Sequence, residues 1–433
     1  MKPEKVFKRY DVRGRYPEEL DEEFVERMGK SLEKWVLENS GEKVVVCRDN
    51  KESSESLKKS LVEGITSIGV DVVDAGVGPT DYTSFHGSRE DAVSVQVTSS
   101  HMPLEFNGLK FMYPRGNGFL NDDLNMLEEF FHKEDFPDGN GDIRKLEEPG
   151  EDYIEDVVEY VRQKGGEFDR RVVVDSMGGA TRNFLPEVLE RLGFDVIDLA
   201  EGREGIYRNP PDPRPEILGE LAEKVEEEDA YMGLATDLDG DRVQVYFDGD
   251  WISGDDLFCI FAQLFSGEVV ASVDTSKNLE EFADKVHYTR VGDPFVVDRM
   301  LKEGAVLSGE PNGHYCFPEL INYNSGTLAG ALAASIDFDG KLEKVPESFL
   351  EKENVEYDDR NKRNREMKKF RTKAVSELDI DSTADGVKFT CGDASVLVRP
   401  SGSSPKIRVK SQAPNKEGAE NGLAKALDII GKE

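Results

Sequence analysis

The chain is 433 residues long and 37% of them are hydrophobic, which is enough for several buried cores. Its 89 acidic and 55 basic residues give a formal net charge of -34, which argues against binding to nucleic acid or to anionic membranes. Without a long apolar run, and with the charged N-terminus MKPEKVFKRY, the sequence predicts a cytoplasmic protein that has no membrane segment or signal peptide.

The charge also guides the search for a site. An acidic surface of this kind is typical of a salt-adapted archaeon, where ions screen the self-repulsion, although an ordinary acidic protein has a similar composition. If the ligand is an anion, the protein as a whole repels it, so cationic residues on glycine-rich loops mark candidate sites.

The cysteines lie far apart without a CxxC pair, which is typical of reduced thiols: Cys47, Cys259, Cys316 and Cys391.

The N-terminal segment FKRYDVRGRY predicts a basic loop ahead of the first helix. Lys8, Arg13 and Arg15 surround Gly14, where a turn is expected, and an acidic helix is expected to begin near Glu18. A basic loop in an acidic protein indicates either a binding site or a plain turn.

An internal repeat follows, in which a β-branched strand leads through a helix to a second strand. The repeat occurs at residues 43–76, 170–200 and, more weakly, 267–293. It predicts an α/β fold with three related domains in series. Boundaries are expected near residues 146–151 and 249–250.

The C-terminal region differs from these repeats. A charged segment at 351–373 predicts a linker and a solvated helix, and three short strands and a helix from Asn415 to Ile430 follow. This pattern predicts a small α+β domain. The predicted domains are residues 1–147 with the loop TSSH at 98–101, 148–248 with the acidic turn at 237–242, 249–348 with the loop at 309–317 and 349–433 with the loop at 398–409.

The serine loop is the first candidate for chemistry. An apolar strand at 93–97 delivers residues 98–101, of sequence TSSH, onto a loop that Pro103 and a turn at 107–108 are expected to close. Ser100 beside His101 would serve as a nucleophile or phosphoryl carrier, with Lys110 near enough to handle charge or protons. The alternative is a solvated turn, since Ser and Thr favour turns for backbone reasons.

The strongest single motif is an acidic turn between two apolar strands. Asp237, Asp239 and Asp241 alternate along it, and each close carboxylate pair repels by about 4 kcal/mol at a surface-like dielectric, so a divalent cation such as Mg²⁺ would neutralise them. An EF-hand is excluded because its sixth position requires glycine, where this chain has Arg242, and because strands flank the loop. An acidic hairpin turn remains the alternative.

Two further loops carry polar residues suited to a sugar phosphate. In the first, GEPNGHYCF at 309–317, Glu310, Asn312 and His314 suit sugar hydroxyls and proton transfer, and a polar surface turn is the alternative. The second is VRPSGSSPKIRV at 398–409, where two arginines flank a turn that would cradle a phosphate, or form a plain hairpin. Its candidate residues are Arg399, Ser401, Gly402, Ser403 and Arg408.

In this order, the four loops resemble those of the α-D-phosphohexomutase superfamily, which contains phosphomannomutases and phosphoglucomutases. The resemblance runs from YDVRG at 10–14 to Val409 and includes the segments at 172–193 and 207–216. It implies three α/β domains with mixed sheets and a C-terminal domain like the TATA-binding protein, arranged around a central cleft.

The resemblance also implies a reaction, the interconversion of hexose 1-phosphate and hexose 6-phosphate, of mannose or glucose. A serine matching Ser100 carries a phosphoryl group and binds Mg²⁺ together with the carboxylates matching Asp237, Asp239 and Asp241. The phosphoryl group passes to the sugar phosphate, and the bisphosphorylated intermediate returns its other phosphate to the serine. A sugar bisphosphate, of the glucose 1,6-bisphosphate type, keeps the enzyme charged.

The same resemblance assigns roles to the remaining candidates. Lys110 and His314 become general acid/base candidates, while Arg13 and Arg242 support the phosphoserine beside His101. The residues expected to bind substrate are Tyr10, Asp293, Glu310, Asn312, Arg399, Ser401, Gly402, Ser403 and Arg408.

Departures from the family pattern leave the sugar open. Ser99 and Met102 stand where alanine and asparagine are usual, Asn312 replaces a common serine, and Ser403 and Ser404 replace threonine and glutamate. A phosphoglucosamine mutase or phosphopentomutase is therefore an alternative, as are a metal-dependent sugar phosphatase and a non-catalytic sugar-phosphate sensor. The expected partners are small sugar phosphates, without nucleic acid or membrane, and the chain is expected to be a monomer or dimer.

Overall fold

The computed structural model describes residues 6–39, 41–147, 150–166, 169–401 and 404–431. The chain divides into two compact units, Met1–Gly254 with Val306–Phe338 and Asp255–Ala305 with Asp339–Glu433. Within the described ranges, none of the helices is both long enough and apolar enough to cross a membrane.

Helices and strands alternate along most of the chain. The helices are α1 Glu22–Glu38, α2 Glu52–Thr66, α3 Thr80–Arg89, α4 Asn121–Lys133, α5 Glu151–Lys164, α6 Leu185–Arg191, α7 Gly219–Glu227, α8 Gly254–Ala262, α9 Asp293–Glu303, α10 Gly326–Ala334, α11 Phe338–Leu342, α12 Arg360–Glu377 and α13 Lys416–Ile430. Short 3₁₀ turns lie at Ala180–Asn183, Pro215–Ile217 and Lys277–Glu281. The strands are β1 Val12–Arg15, β2 Lys43–Arg48, β3 Asp71–Val77, β4 Val93–Val97, β5 Phe106–Met112, β6 Ile143–Lys145, β7 Arg171–Asp175, β8 Asp195–Asp198, β9 Met232–Thr236, β10 Val243–Phe247, β11 Asp250–Ile252, β12 Glu268–Ser272, β13 Lys285–Thr289, β14 Leu307–Gly309, β15 Tyr315–Cys316, β16 Phe349–Glu356, β17 Ile380–Ser382, β18 Val387–Cys391, β19 Ala394–Pro400 and β20 Lys406–Ala413.

The first unit contains two mixed sheets. The first has the order β1-β5-β4-β2-β3-β6, in which β2 is parallel to β3 and β4, while β5 is antiparallel to β4 and β1. The second has the order β11-β10-β9-β7-β8, with β7 parallel to β8 and β9. Buried valines in the parallel strands, such as Val44 to Val46, form the apolar layer that the helices cover.

The repeat predicted from the sequence is confirmed as three strand pairs that are each parallel. They are β2 with β3, β7 with β8 and β12 with β13. In the third repeat a 3₁₀ turn at Lys277–Glu281 stands where a helix was expected. The mixed sheets and the antiparallel C-terminal sheet, in the order β16-β20-β19-β18-β17, confirm the predicted fold class.

Helices α1 and α2 pack closely against each other through two glycines. A Cβ placed on Gly64 would lie 2.0 Å from the carbonyl oxygen of Glu26, and one on Gly29 would lie 2.5 Å from that of Leu61. Both distances are far below van der Waals contact, so the two backbones come together only because neither position carries a side chain.

A buried carboxylate joins three helices of the first unit. Asp81 in α3 is fully buried and accepts hydrogen bonds from the hydroxyls of Tyr153 in α5 and Ser325. Ser325 is also the N-cap of α10, where its side chain accepts from the backbone N–H of Leu328. The cluster therefore ties segments that are more than 240 positions apart in sequence, as Ser325 and Asp81 are separated by 244 residues.

Four local predictions are wrong. The segment at 12–15, expected as a turn, is strand β1, and the first helix begins at Glu22 rather than near Glu18. The expected turn at 107–108 lies inside β5, where Gly108 pairs with Arg13. The first part of the expected linker, residues 351–356, belongs to edge strand β16, which pairs along its whole length with β20.

Candidate active site

The parallel strands of the first sheet bring three loops to one edge. Strands β2, β3 and β4 run in the same direction, so the residues that follow them meet at their carboxyl ends. Lys51 follows β2, Thr80 follows β3 and Ser100 follows β4. The acidic turn between β9 and β10 faces these loops, since the side chains of Thr80 and Ser100 both bond to its aspartates.

Ser100 adopts a conformation that is unusual for a residue other than glycine. Its φ is 53°, in the left-handed region, and its backbone N–H donates to Oγ1 of Thr98 at 2.9 Å. Its Oγ donates to Oδ2 of Asp237 at 3.1 Å and lies 3.1 Å from Nδ1 of His101. The loop thus holds a nearly buried hydroxyl between a carboxylate and an imidazole.

Asp237, Asp239 and Asp241 are buried, and their carboxylates converge. Each places a carboxylate oxygen within 4.8 Å of the others. Gly240 makes the turn possible, because its φ is 72° and a Cβ there would lie 2.3 Å from the side chain of Thr181. Three converging carboxylates are a strong concentration of negative charge in a region buried from bulk solvent.

One oxygen of this trio lacks a partner. Oδ2 of Asp239 accepts from the hydroxyl of Thr80 at 2.8 Å and from Nζ of Lys110 at 2.6 Å. Its other oxygen, Oδ1, is buried and has no hydrogen-bond partner in the part of the chain that the structure describes. A buried oxygen of this kind, beside two further carboxylates and the Ser100 hydroxyl, fits a hard divalent cation such as Mg²⁺.

Lys110 supplies positive charge to two of the three carboxylates. Its ammonium lies 2.6 Å from Asp239 and 2.5 Å from Asp241, and the three side chains are at most 7% exposed. Burial alone would lower the pKa of Lys110, but the two carboxylates outweigh it and raise the pKa well above its usual value. Burial, and then the other two carboxylates, raise the pKa of Asp237 well above its ordinary range.

His314, in the loop between β14 and β15, also belongs to the charged cluster. Its Nε2 lies 3.1 Å from Oδ1 of Asp241, and its Nδ1 lies 3.3 Å from Oε1 of Glu310. Burial opposes a charge on the ring, but the carboxylate of Asp241 outweighs this and raises the pKa of His314 to about 10. Nε of Arg242 lies 3.2 Å from the same Nε2, and its guanidinium also lies 3.5 Å from Asp212.

The pKa of His101 is shifted in the opposite direction to that of His314. The nearby charge of Arg242 and then burial lower its pKa far below the usual value, with a further contribution from Arg13. The ring is therefore neutral, and Nδ1 and the Ser100 hydroxyl are able to share one hydrogen bond.

The other predicted residues of the first unit differ in their surroundings. Arg13 is in β1 and forms an ion pair with Asp11 at 2.8 Å, and Tyr10 packs against the core of the first sheet. Asn312 is exposed, and its side-chain oxygen accepts from the backbone N–H of His314 at 3.3 Å.

Two of the predicted residues in the second unit, Arg399 and Arg408, form a pair on neighbouring strands. Arg399 and Arg408 lie directly opposite each other on β19 and β20, and Arg399 forms an ion pair with Asp385 at 2.8 Å. Burial and then Arg399 lower the pKa of Arg408. The remaining candidates differ in their setting: Ser401 is buried, Asp293 begins α9 and is buried, and Gly402 and Ser403 lie outside the described residues.

Three residues that contact the site were not predicted. Thr80 bonds to Asp239, Asp212 lies beside Arg242, and Lys51 bonds to Ser99. Two of them could have been found, because Lys51 and Thr80 come directly after β-branched strands whose parallel pairing the repeat predicts. Asp212 follows no such pattern.

Comparison with known proteins agrees with this architecture. Models of the phosphoglucomutase/phosphomannomutase α/β/α domains I, II and III match residues 4–138, 151–249 and 253–351, and the model of the C-terminal domain matches 353–429. A phosphoglucomutase/phosphomannomutase from Thermococcus kodakarensis is 32% identical over 465 residues, covering 98% of each chain.

Other relatives are named phosphoglucosamine mutases. A probable phosphoglucosamine mutase from Methanothermobacter thermautotrophicus is 32% identical over 437 residues, covering 96% of each chain. The crystal structure of a phosphoglucomutase/phosphomannomutase family protein from Burkholderia thailandensis aligns with a TM-score of 0.88 and 25% identity, covering 98% of this chain and 97% of that one. The chain therefore belongs to the phosphoglucomutase/phosphomannomutase family, within the α-D-phosphohexomutase superfamily.

Proposed function

We propose that the protein interconverts hexose 1-phosphate and hexose 6-phosphate, of mannose or glucose, through a phosphoserine at Ser100. The observation that carries this proposal is the hydrogen bond of 3.1 Å between Oγ of Ser100 and Asp237, within a trio of buried carboxylates. A hydroxyl beside such a trio is suited to holding a phosphoryl group, because a bound divalent cation would be shared between the phosphate and the carboxylates.

In the first half-reaction the phosphoryl group leaves Oγ of Ser100 for the free hydroxyl of the sugar phosphate. The bond between phosphorus and Oγ breaks, the bond to the sugar oxygen forms, and the proton of that hydroxyl ends on Oγ. The second half-reaction returns the other phosphate to Ser100. Mg²⁺ bound to Asp237, Asp239 and Asp241 would neutralise charge on the phosphoryl oxygens.

The side chains around Ser100 have separate tasks in this scheme. Lys110 and His314 are the buried titratable cations of the cluster, and we assign proton exchange at the reacting oxygens to them. Arg242 and Arg13 stabilise the anion on Ser100, while Glu310 and Asn312 orient the sugar. Arg399, Ser401 and Arg408, with Asp293, Gly402, Ser403 and Tyr10, are proposed to bind the substrate, including the phosphate that is not reacting.

Peptide mapping of the purified protein tests the carrier, and we expect one phosphoryl group on Ser100. Ser100→Ala should abolish formation of hexose 6-phosphate from hexose 1-phosphate with Mg²⁺ and glucose 1,6-bisphosphate, whereas the exposed control Ser376→Ala should not. Full activity of Ser100→Ala would refute the proposal. Release of inorganic phosphate without isomerisation would identify a phosphatase, and sugar-phosphate binding without turnover would identify a sensor.

Glucosamine phosphate is the second candidate substrate. Several relatives at 29% to 32% identity are named as probable phosphoglucosamine mutases, and this favours glucosamine phosphate. A panel of mannose, glucose, glucosamine and ribose 1-phosphates, measured at low and high KCl, decides between them. The sugar with the highest kcat/KM is the assigned substrate, and preference for glucosamine 1-phosphate would replace mannose and glucose in the proposal.

A further inference from the structure

Lys51 lies beneath the loop that carries Ser100. Its side chain is 3% exposed, and its Nζ lies 2.5 Å from Oγ of Ser99 and 2.8 Å from the carbonyl oxygen of Phe106. Ser99 immediately precedes Ser100, and Phe106 is the residue at which the loop ends and β5 begins. One ammonium group therefore holds both ends of the loop.

The turn that carries Lys51 is itself fixed. The backbone N–H of Lys51 donates to Oδ1 of Asp49 at 2.9 Å, and the hydroxyl of Ser54 donates to the same oxygen at 2.5 Å. Asn107, the second residue of β5, donates to the hydroxyls of Ser53 at 2.8 Å and Ser54 at 2.9 Å. These bonds anchor the turn between β2 and α2 to the start of β5, so Lys51 has little freedom to follow a moving loop.

Ser99 is an acceptor for Lys51 and not a second nucleophile. It is fully buried, and its hydroxyl donates to the carbonyl oxygen of Phe106 at 3.0 Å while accepting from Lys51. The neighbouring Ser100 is in the left-handed region, a conformation that costs on the order of 1 kcal/mol or more and persists only where surrounding contacts enforce it. On that side of Ser100, the Thr98 hydroxyl accepts from the Ser100 backbone N–H at 2.9 Å, and the bond from Lys51 to Ser99 holds the residue between them.

We propose that Lys51 is a positioning residue for phosphoryl transfer, which holds Ser99 and Phe106 so that Ser100 keeps the conformation that directs Oγ to Asp237. This inference rests on the proposed function, because the conformation of Ser100 affects turnover only if Ser100 is the phosphoryl carrier. It also explains the departure at position 99: where the family usually has alanine, the serine hydroxyl of this chain provides an acceptor for the buried ammonium.

Kinetics of Lys51→Met test the inference, with hexose 1-phosphate, Mg²⁺ and glucose 1,6-bisphosphate. Methionine keeps the length of the side chain and removes the charge and the donors. We expect kcat to fall about 100-fold, the size of effect that a small misplacement of a reacting group produces, with KM changed by less than about threefold. Lys51→Arg should restore most of kcat, and the exposed Lys59→Met, in α2, is the matched control and should be unchanged.

A second variant keeps the test decisive if Lys51→Met does not fold. Ser99→Ala removes one hydrogen bond, so we expect kcat to fall about fivefold, and Lys51→Met combined with Ser99→Ala should be no slower than Lys51→Met alone. A kcat within threefold of wild type in folded Lys51→Met, or no change in Ser99→Ala, would overturn the inference. An inactive wild type that lacks phosphate on Ser100 would instead overturn the proposed function.

Discussion

Lys110 is predicted to contribute far more to the free energy of unfolding than an ordinary surface lysine. Its ammonium is held between Asp239 and Asp241 at 2.6 and 2.5 Å, and all three groups are excluded from solvent. Lys110→Met fills the same space but removes the cation closest to both carboxylates, although His314 still lies 3.1 Å from Asp241. Removing one partner of a buried ion pair costs about 3–5 kcal/mol.

The melting temperature provides the measurement. A domain of more than about 250 residues loses at most about 2 °C for each kcal/mol, so Lys110→Met should melt up to about 6–10 °C below wild type in EDTA. Because Mg²⁺ supplies the positive charge that the substitution removes, its addition should raise the melting temperature of Lys110→Met more than that of the wild type. Lys133→Met is the matched control, since Lys133 forms an exposed helical pair with Glu129, and no measurable change is expected.

Two outcomes would refute this reasoning. If Lys110→Met in EDTA melts within about 2 °C of the wild type, the buried ion pairs do not contribute as the geometry requires. If Mg²⁺ raises the melting temperatures of both proteins equally, the cation does not bind at the carboxylates that Lys110 neutralises.

Two further predictions concern the packing and titration of the first unit. Gly64→Ala should destabilise the protein by about 1–3 kcal/mol or more in urea unfolding, because its Cβ would meet the carbonyl of Glu26, whereas Gly219→Ala, with open space around it, should be neutral or slightly stabilising. Equal effects of the two substitutions would contradict the close approach of α1 and α2. Burial raises the pKa of Glu33 to about 8 from 4.5, so between these pH values the folded state keeps a proton that the unfolded state releases. The free energy of unfolding therefore falls as the pH rises from 4.5 to 8. Glu33→Gln should therefore melt above the wild type at pH 8 and match it near pH 4.5, and parallel pH profiles would count against this.

The loops of the candidate site could be found from the sequence because each is continuous in sequence. The aspartates at 237, 239 and 241 occupy alternate positions of one short turn, and Ser100 is adjacent to His101. Because these residues are close in sequence, their side chains must also be close in space, and this limits the chemistry that they can support. Lys51 and Thr80 were missed because they reach the site through strand pairing, and pairing between β2, β3 and β4 is a tertiary property that local patterns indicate only in outline.

The wrong local predictions share a physical cause. Strand β1 is short and polar, and it exists because it pairs with β5, almost 100 residues later. Helix α1 begins at Glu22 since the carboxylate of Asp21 accepts from the N–H of Phe24 and fixes the first turn there. Edge strand β16 is mostly exposed, so it lacks the alternation of apolar and polar residues by which a strand is detected.

The Asp81 cluster limits how this chain can be recombined with its relatives. Asp81 lies in the segment that matches family domain I, Tyr153 in the segment that matches domain II and Ser325 in the segment that matches domain III. A chimera that exchanges one segment for a sequence lacking the matching group leaves a buried carboxylate or hydroxyl without its partner. These three residues must therefore be inherited together, and crossovers between them are tolerated only where the other parent supplies the same trio.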